Sequence, residues 1–165
     1  MSPSPSHAPP IPMKRFLALL FAIAAATTVC AADFTLLDRN SAHPLTQPRA
    51  DARPTVVALW ASDCVYCKQN LRTLAGLSKA NPRLRVLTIA AEMPGDATAP
   101  EIGKTGLKSE RFAFGSDMPE AISFALDPDW RGELPRTYLF DGKGHVQARS
   151  GVIAAAEFRA ILGLK

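Results

Sequence analysis

Cys64 and Cys67 are the residues of this chain best suited to do chemistry, because two thiols three positions apart can close a disulfide and open it again. A disulfide over so short a span closes a tiny loop and restrains the unfolded chain little, so bracing would be a poor use of it. Ahead of the pair runs Pro54-Thr55-Val56-Val57-Ala58-Leu59-Trp60, almost wholly apolar and rich in β-branched residues, which reads as a strand buried on both faces. Behind it, Cys67, Leu71, Leu74, Ala75 and Ser78 fall at the spacing of the inner stripe of a helix, and Asn81-Pro82 ends that helix at about residue 80. The thiols therefore sit where a buried strand turns into a helix. There the unpaired N–H groups and the positive end of the helix dipole favour thiolate over thiol. The expectation is a redox dithiol that needs no cofactor beyond its own Cys64–Cys67 disulfide.

Other uses of the same thiols are weaker. A structural zinc site wants four convergent ligands. Its candidates beside the cysteines would be His43, in a loop, and His145, beside a hairpin turn, so no metal site is assigned. Soft thiolates suit Cu(I), which makes a copper-handling metallochaperone, using the dithiol without redox turnover, the alternative function. Gly103-Lys104-Thr105 has the look of a phosphate loop, but Thr98 stands where the first glycine must be. Basic residues are scattered rather than clustered, which argues against a nucleic-acid partner.

The elements that must position the dithiol fit one domain. The chain has 165 residues, 47% hydrophobic and 21% charged, enough for a single core of ordinary size. Residues 33–38 alternate weakly and could form an edge strand, and 39–53, with Pro44 and Pro48, read as loop. After the strand and the cysteine helix, Leu84–Ala90 is the next strand, so 54–90 forms a right-handed βαβ unit with parallel strands. Residues 93–99 read as loop and 100–112 as a helix interrupted by Gly103 and Gly106. A short helix over 118–126 has Ser116 or Asp117 as cap and Pro119 in its first turn. The loop 127–133 holds Trp130. Residues 137–140 and 145–149 form a hairpin around Asp141-Gly142-Lys143-Gly144, and a final helix over 154–164 turns Phe158, Ile161 and Leu162 inward.

The first 32 residues read as something other than fold. Residues 1–12 are Pro/Ser-rich and read as a disordered or untranslated extension, Met13 being the alternative start. Lys14-Arg15 followed by the 11-residue apolar run Phe16–Ala26 and small residues up to Ala32 make 13–32 a secretory signal, cut after Ala32 or Ala31. The domain then spans 33–165 in the periplasm or outside the cell. The run is short for a membrane span, which needs about 20 residues; an uncleaved anchor, or a lipid on Cys30 despite Val29 before it, are the alternatives. Cleavage would remove Cys30, leaving two thiols in an oxidising compartment, and would halve the formal charge of +4.

Two motifs together resemble the thioredoxin superfamily, and within it the TlpA/ResA-like exported thiol-disulfide oxidoreductases. Trp60-Ala61-Ser62-Asp63-Cys64-Val65-Tyr66-Cys67 is similar to the family's W-A-x-W-C-x-x-C, and Leu134-Pro135-Arg136-Thr137-Tyr138-Leu139-Phe140-Asp141 to its x-P-T-T-F-x-I-D. The spacing from Cys64 to Pro135 exceeds that of plain thioredoxin and matches the branch with an inserted segment. The resemblance implies an α/β, thioredoxin-like fold: a central mixed β-sheet flanked by helices, the CxxC at a helix N-terminus, and a hairpin entered through a cis Pro135.

It also implies that Cys64 attacks and Cys67 resolves, and that Leu134 beside Pro135 pairs with a substrate strand. Trp60, Tyr66 and Arg136 complete the expected substrate-binding surroundings, Trp60 like Trp130 chiefly as packing near the site, Tyr66 on the rim, and Arg136 either as a cation near Cys64 or as a solvated surface arginine. The expected partners are proteins with disulfides or thiols, with an upstream electron donor that can be membrane-bound; a monomer acting as a reductase is expected. The chain departs from the pattern at Asn70 and Ala58, where the family and thioredoxin respectively carry an acid. Asp63 replaces a common Trp and reads as a helix N-cap. Val65-Tyr66 resembles the C-x-Y-C of periplasmic isomerases, but residues 33–53 leave no room for their dimerisation region.

Overall fold

The computed structural model describes residues 34–48 and 52–165. The expected extension, signal segment, cleavage site and acylation at Cys30 lie outside the described residues. Among the described residues six strands form one mixed sheet in the order β1-β4-β3-β2-β5-β6. Its strands are β1 (Thr35–Leu37), β2 (Thr55–Trp60), β3 (Arg85–Ala90), β4 (Glu110–Phe114), β5 (Arg136–Phe140) and β6 (Val146–Ser150). The helices are α1 (Arg39–Ala42), α2 (Val65–Ala80), α3 (Thr98–Gly103), α4 (Pro119–Leu126) and α5 (Ala155–Leu162). Among the described residues no helix is long and apolar enough to cross a membrane.

β2 lies near the middle of the sheet, parallel to β3 and antiparallel to β5. All six of its side chains are buried, as an uninterrupted apolar run demands when both faces are covered. Val56, Ala58 and Trp60 face Cys67, Leu71 and Leu74 of α2 and Phe158 and Leu162 of α5. Val57 and Leu59 face the other way, onto a core with Ile122 and Leu126 of α4, and Tyr138 and Phe140 of β5 share that face. Burial at about 25 cal/mol per Å² of apolar surface makes these two layers the main source of cohesion.

Three segments depart from expectation. Residues 39–45 are not loop: α1 and a 3₁₀ turn at His43–Leu45 form there. The carboxylate of Asp38 accepts from Asn40 N at 2.9 Å and Ser41 N at 2.7 Å, while Ser41 Oγ accepts from Asp38 N. This reciprocal cap overrides the prolines downstream. The expected helix over 100–112 stops at Gly103, and Gly106 turns the chain at a φ of 68°, open to glycine. Residues 110–114 are instead a strand between β1 and β3, where tertiary pairing decides. Lastly, neither Ser116 nor Asp117 caps α4, whose N-cap is Met118 with Pro119 following. Asp117 accepts from the amide and Nε of Arg39.

Candidate dithiol site

The site begins at the C-terminal end of β2. Trp60 ends the strand, a turn follows, and Cys64 is the N-cap of α2. Its sulfur accepts from Cys67 N at 3.2 Å. Asp63 is therefore exposed ahead of the helix and does not cap it, because the cysteine sulfur already takes the free N–H. Cys64 and Cys67 are joined in a disulfide. Their environments differ: Cys67 is 1% exposed and belongs to the core under α2, whereas Cys64 is half-buried beside Val65 and Tyr66, which are 72% and 65% exposed. Of the two sulfurs, only that of Cys64 borders solvent-facing surface.

The turn is tied on its flank. Ser62 N donates to Glu92 Oε1 at 3.0 Å, and Thr98 Oγ1 at the start of α3 donates to the same oxygen. Lys68, next to Cys67, pairs with Glu101 of α3 at 2.6 Å, and Lys104 also holds that carboxylate. Hydrogen bonds from Lys104 first and Lys68 second pull the Glu101 carboxyl down to about 2. The segment between β3 and β4 thus clamps the cysteine turn.

The second half of the site enters from β5. Because β2 and β5 are antiparallel, with Leu59 opposite Arg136, the residues just before Arg136 emerge at the sheet edge that carries the cysteine turn. The Leu134–Pro135 peptide bond is cis. Leu134 lies before the β2–β5 ladder, and among the described residues neither its N–H nor its C=O has a hydrogen-bond partner. Both Leu134 and Cys64 pack on the core that contains Cys67. Trp130 supports this approach: its indole N–H donates to Glu133 O at 2.8 Å.

Two expected contact residues lie elsewhere. Trp60 is 1% exposed and fills the core beneath the turn, so it cannot touch a partner; its indole Nε1 and Thr137 Oγ1 are buried without a hydrogen-bond partner among the described residues. Arg136 shares the sheet face of Tyr138, opposite α2, and is neither a cation over Cys64 nor a solvated surface residue. Its guanidinium binds Asp127 Oδ2 at 2.7 Å and Ser150 Oγ at 2.9 Å. Burial pushes the Asp127 carboxyl up, but hydrogen bonds from Arg136, from Asp129 N and from the Tyr138 hydroxyl outweigh it and hold it below the ordinary carboxylate range. Burial, and then Asp127, raises the Tyr138 phenol well above its usual value.

The histidines have partners of their own: His43 Nδ1 meets Ala125 O at 3.2 Å, and His145 Nδ1 meets Asp141 Oδ2 at 2.8 Å. Neither joins the cysteines. Sequence reasoning missed what fastens the two halves of the site, namely Glu92, Asn70 and Gly151. Asn70 signals only an absent acid, and Gly151 only a break after a strand; neither points to its partner.

No family model and no curated protein matches this chain. Solved structures do. A secreted Mycobacterium tuberculosis disulfide oxidoreductase matches with a TM-score of 0.55 and 17% identity over 69% of this chain and 83% of that one. A thiol:disulfide interchange protein of the thioredoxin family from Chlorobium tepidum TLS has a TM-score of 0.55 and 18% identity over 69% and 80%. A thioredoxin-related protein from Neisseria meningitidis serogroup B has 0.54 and 17% over 68% and 84%. The fold is thioredoxin-like: a mixed α/β sheet flanked by helices with a CxxC disulfide at the mouth of one helix.

Proposed function

We propose that the chain is an exported thiol-disulfide oxidoreductase that exchanges disulfides with protein partners, acting as a reductase. The observation that carries this is the asymmetric pair of sulfurs, one half-exposed at the start of a 16-residue helix and one buried a turn further in. A helix mouth favours thiolate at the first sulfur, and burial shields the second from anything but its neighbour. The similar structures, several of them thiol-disulfide oxidoreductases by name, support the same reading.

In the reduced protein, the Cys64 thiolate attacks one sulfur of a partner disulfide. The partner's S–S bond breaks, its other sulfur leaves as thiolate and takes a proton, and a mixed disulfide joins Cys64 to the partner. Cys67 then loses its proton and attacks Cys64 Sγ, expelling the second partner sulfur as a thiol. Two electrons have passed to the partner, and the chain is left with the Cys64–Cys67 disulfide. An upstream dithiol donor returns the two electrons and two protons. The N-terminal residues 13–32 support delivery to an oxidising compartment, where such a donor is needed. Leu134 and Tyr66 are the residues offered to the partner, Leu134 through its open backbone groups and Tyr66 through its exposed ring.

The test is a trap. Cys67→Ala keeps the attacking sulfur and removes the resolving one, so the variant should accumulate mixed disulfides with partner proteins that a reductant releases. Absence of such adducts, together with failure of the reduced wild type to cleave insulin disulfides, would refute the proposal.

A further inference from the structure

Asn70 lies one turn beyond Cys67 on α2, is 1% exposed, and is the only buried side chain of that helix with a polar amide. A buried amide must find partners for both its N–H₂ and its carbonyl. It finds them in the link between β6 and α5: Nδ2 donates to Gly151 O at 3.0 Å, and Oδ1 accepts from Ile153 N at 3.0 Å. Gly151 N in turn donates to Pro135 O at 2.9 Å. An unbroken set of hydrogen bonds therefore runs from the dithiol helix, through one residue, to the chain just ahead of β5. Gly151 holds a φ of 87°, a region that strains any L side chain, so its two bonds point where only glycine lets them point.

We propose that Asn70 is a positioning residue for disulfide exchange with proteins. By fixing Gly151 it fixes Pro135, and with Pro135 the open backbone of Leu134 relative to Cys64. An extended partner chain laid along Leu134 gains main-chain hydrogen bonds there and presents its disulfide to Cys64 only while that spacing holds. A small disulfide needs no such seat. This inference rests on the proposed disulfide exchange.

The experiment compares full-length wild type, Asn70→Ala, Gly151→Ala and the double variant, each reduced with dithiothreitol, which stays as electron source in the insulin assay and is removed before a single-turnover reaction with the small disulfide. Insulin serves as protein disulfide and 5,5′-dithiobis(2-nitrobenzoate) as small one. Each single variant should lose about tenfold in kcat/KM on insulin, a modest misalignment on the scale where 1 Å costs about a hundredfold. Reaction with the small disulfide should change less than twofold. Because both substitutions cut one path, the double variant should lose no more than the worse single one. If Asn70→Ala does not fold, Gly151→Ala alone must show the split between the two disulfides. Equal slowing of both disulfides, unchanged insulin reduction, or multiplied losses in the double variant would overturn the inference. Wild type inactive on insulin would instead overturn the exchange reading beneath it.

Discussion

The main-chain N–H of Ser62 donates to Oε1 of Glu92 at 3.0 Å, joining the cysteine turn to the segment that follows β3. The same oxygen receives Thr98 Oγ1, so one carboxylate organises two chain segments. Replacing Glu92 by Ala leaves the Ser62 amide and the Thr98 hydroxyl without their acceptor, while Gln keeps an oxygen in place. We expect Glu92→Ala to destabilise the protein by about 1 kcal/mol and Glu92→Gln by less than half of that. Hydrogen exchange at the Ser62 amide should speed up in the Ala variant alone. Unchanged exchange there would mean that the turn is held by other contacts.

The difference in burial between the two sulfurs predicts an order of reaction. In the reduced protein, iodoacetamide at mildly acidic pH should modify Cys64 well before Cys67, since Cys67 is 1% exposed and Cys64 opens onto the Val65–Tyr66 surface. Peptide mass mapping at short times reads the order directly. Equal labelling, or Cys67 first, would reverse the assignment of attacking and resolving thiols.

Thr137 carries a hydroxyl that is fully buried and unpartnered among the described residues, opposite Ala58 in the antiparallel ladder. Burying a hydroxyl without a partner costs on the order of 1–3 kcal/mol. Valine has nearly the same shape and nothing to satisfy, so Thr137→Val should stabilise the protein by about 1 kcal/mol in urea unfolding. A loss of stability would show that the hydroxyl has a partner, such as a buried water, that the substitution removes.

What could be read ahead of the structure follows from how locally each signal is written. The run at 54–60 and the stripe from Cys67 to Ala75 announce a central strand and its helix because burial on both faces, or on one, dictates residue type position by position. Glu110–Phe114 was hidden because its apolar Phe112 and Phe114 alternate in a stretch already disturbed by glycines, and only its pairing with β1 and β3 makes it a strand. Asn70 shows the same limit within the site. Its identity signals a missing acid, but its actual partners, Gly151 and Ile153, lie 81 and 83 residues away and are brought to it by the sheet. Arg136 was misplaced for a related reason: adjacency to Pro135 says nothing about which face of β5 its side chain takes, and alternation along the strand sends it to Asp127.

The Asp127 cluster makes its own contribution to the pH dependence of stability. Asp127 accepts from Arg136 at 2.7 Å and from the Tyr138 hydroxyl at 2.9 Å, with both charged side chains largely withdrawn from water. Its folded pKa lies below the unfolded value, so the stability it contributes is whole above the unfolded value, about 3.9, and disappears as pH falls through the folded one. Asp127→Asn keeps the shape but takes from the Arg136 guanidinium its nearer counter-ion, leaving only Glu133 Oε1 at 3.7 Å. At neutral pH the variant should be less stable by about 2 kcal/mol. The gap should close as the wild-type carboxyl becomes protonated below its folded pKa, and it should not change between pH 6 and 8. Urea titrations of both proteins at stepped pH measure it. A gap that stays constant into strong acid would mean that the loss comes from altered packing around Trp130 and Tyr138 rather than from the charge on Asp127.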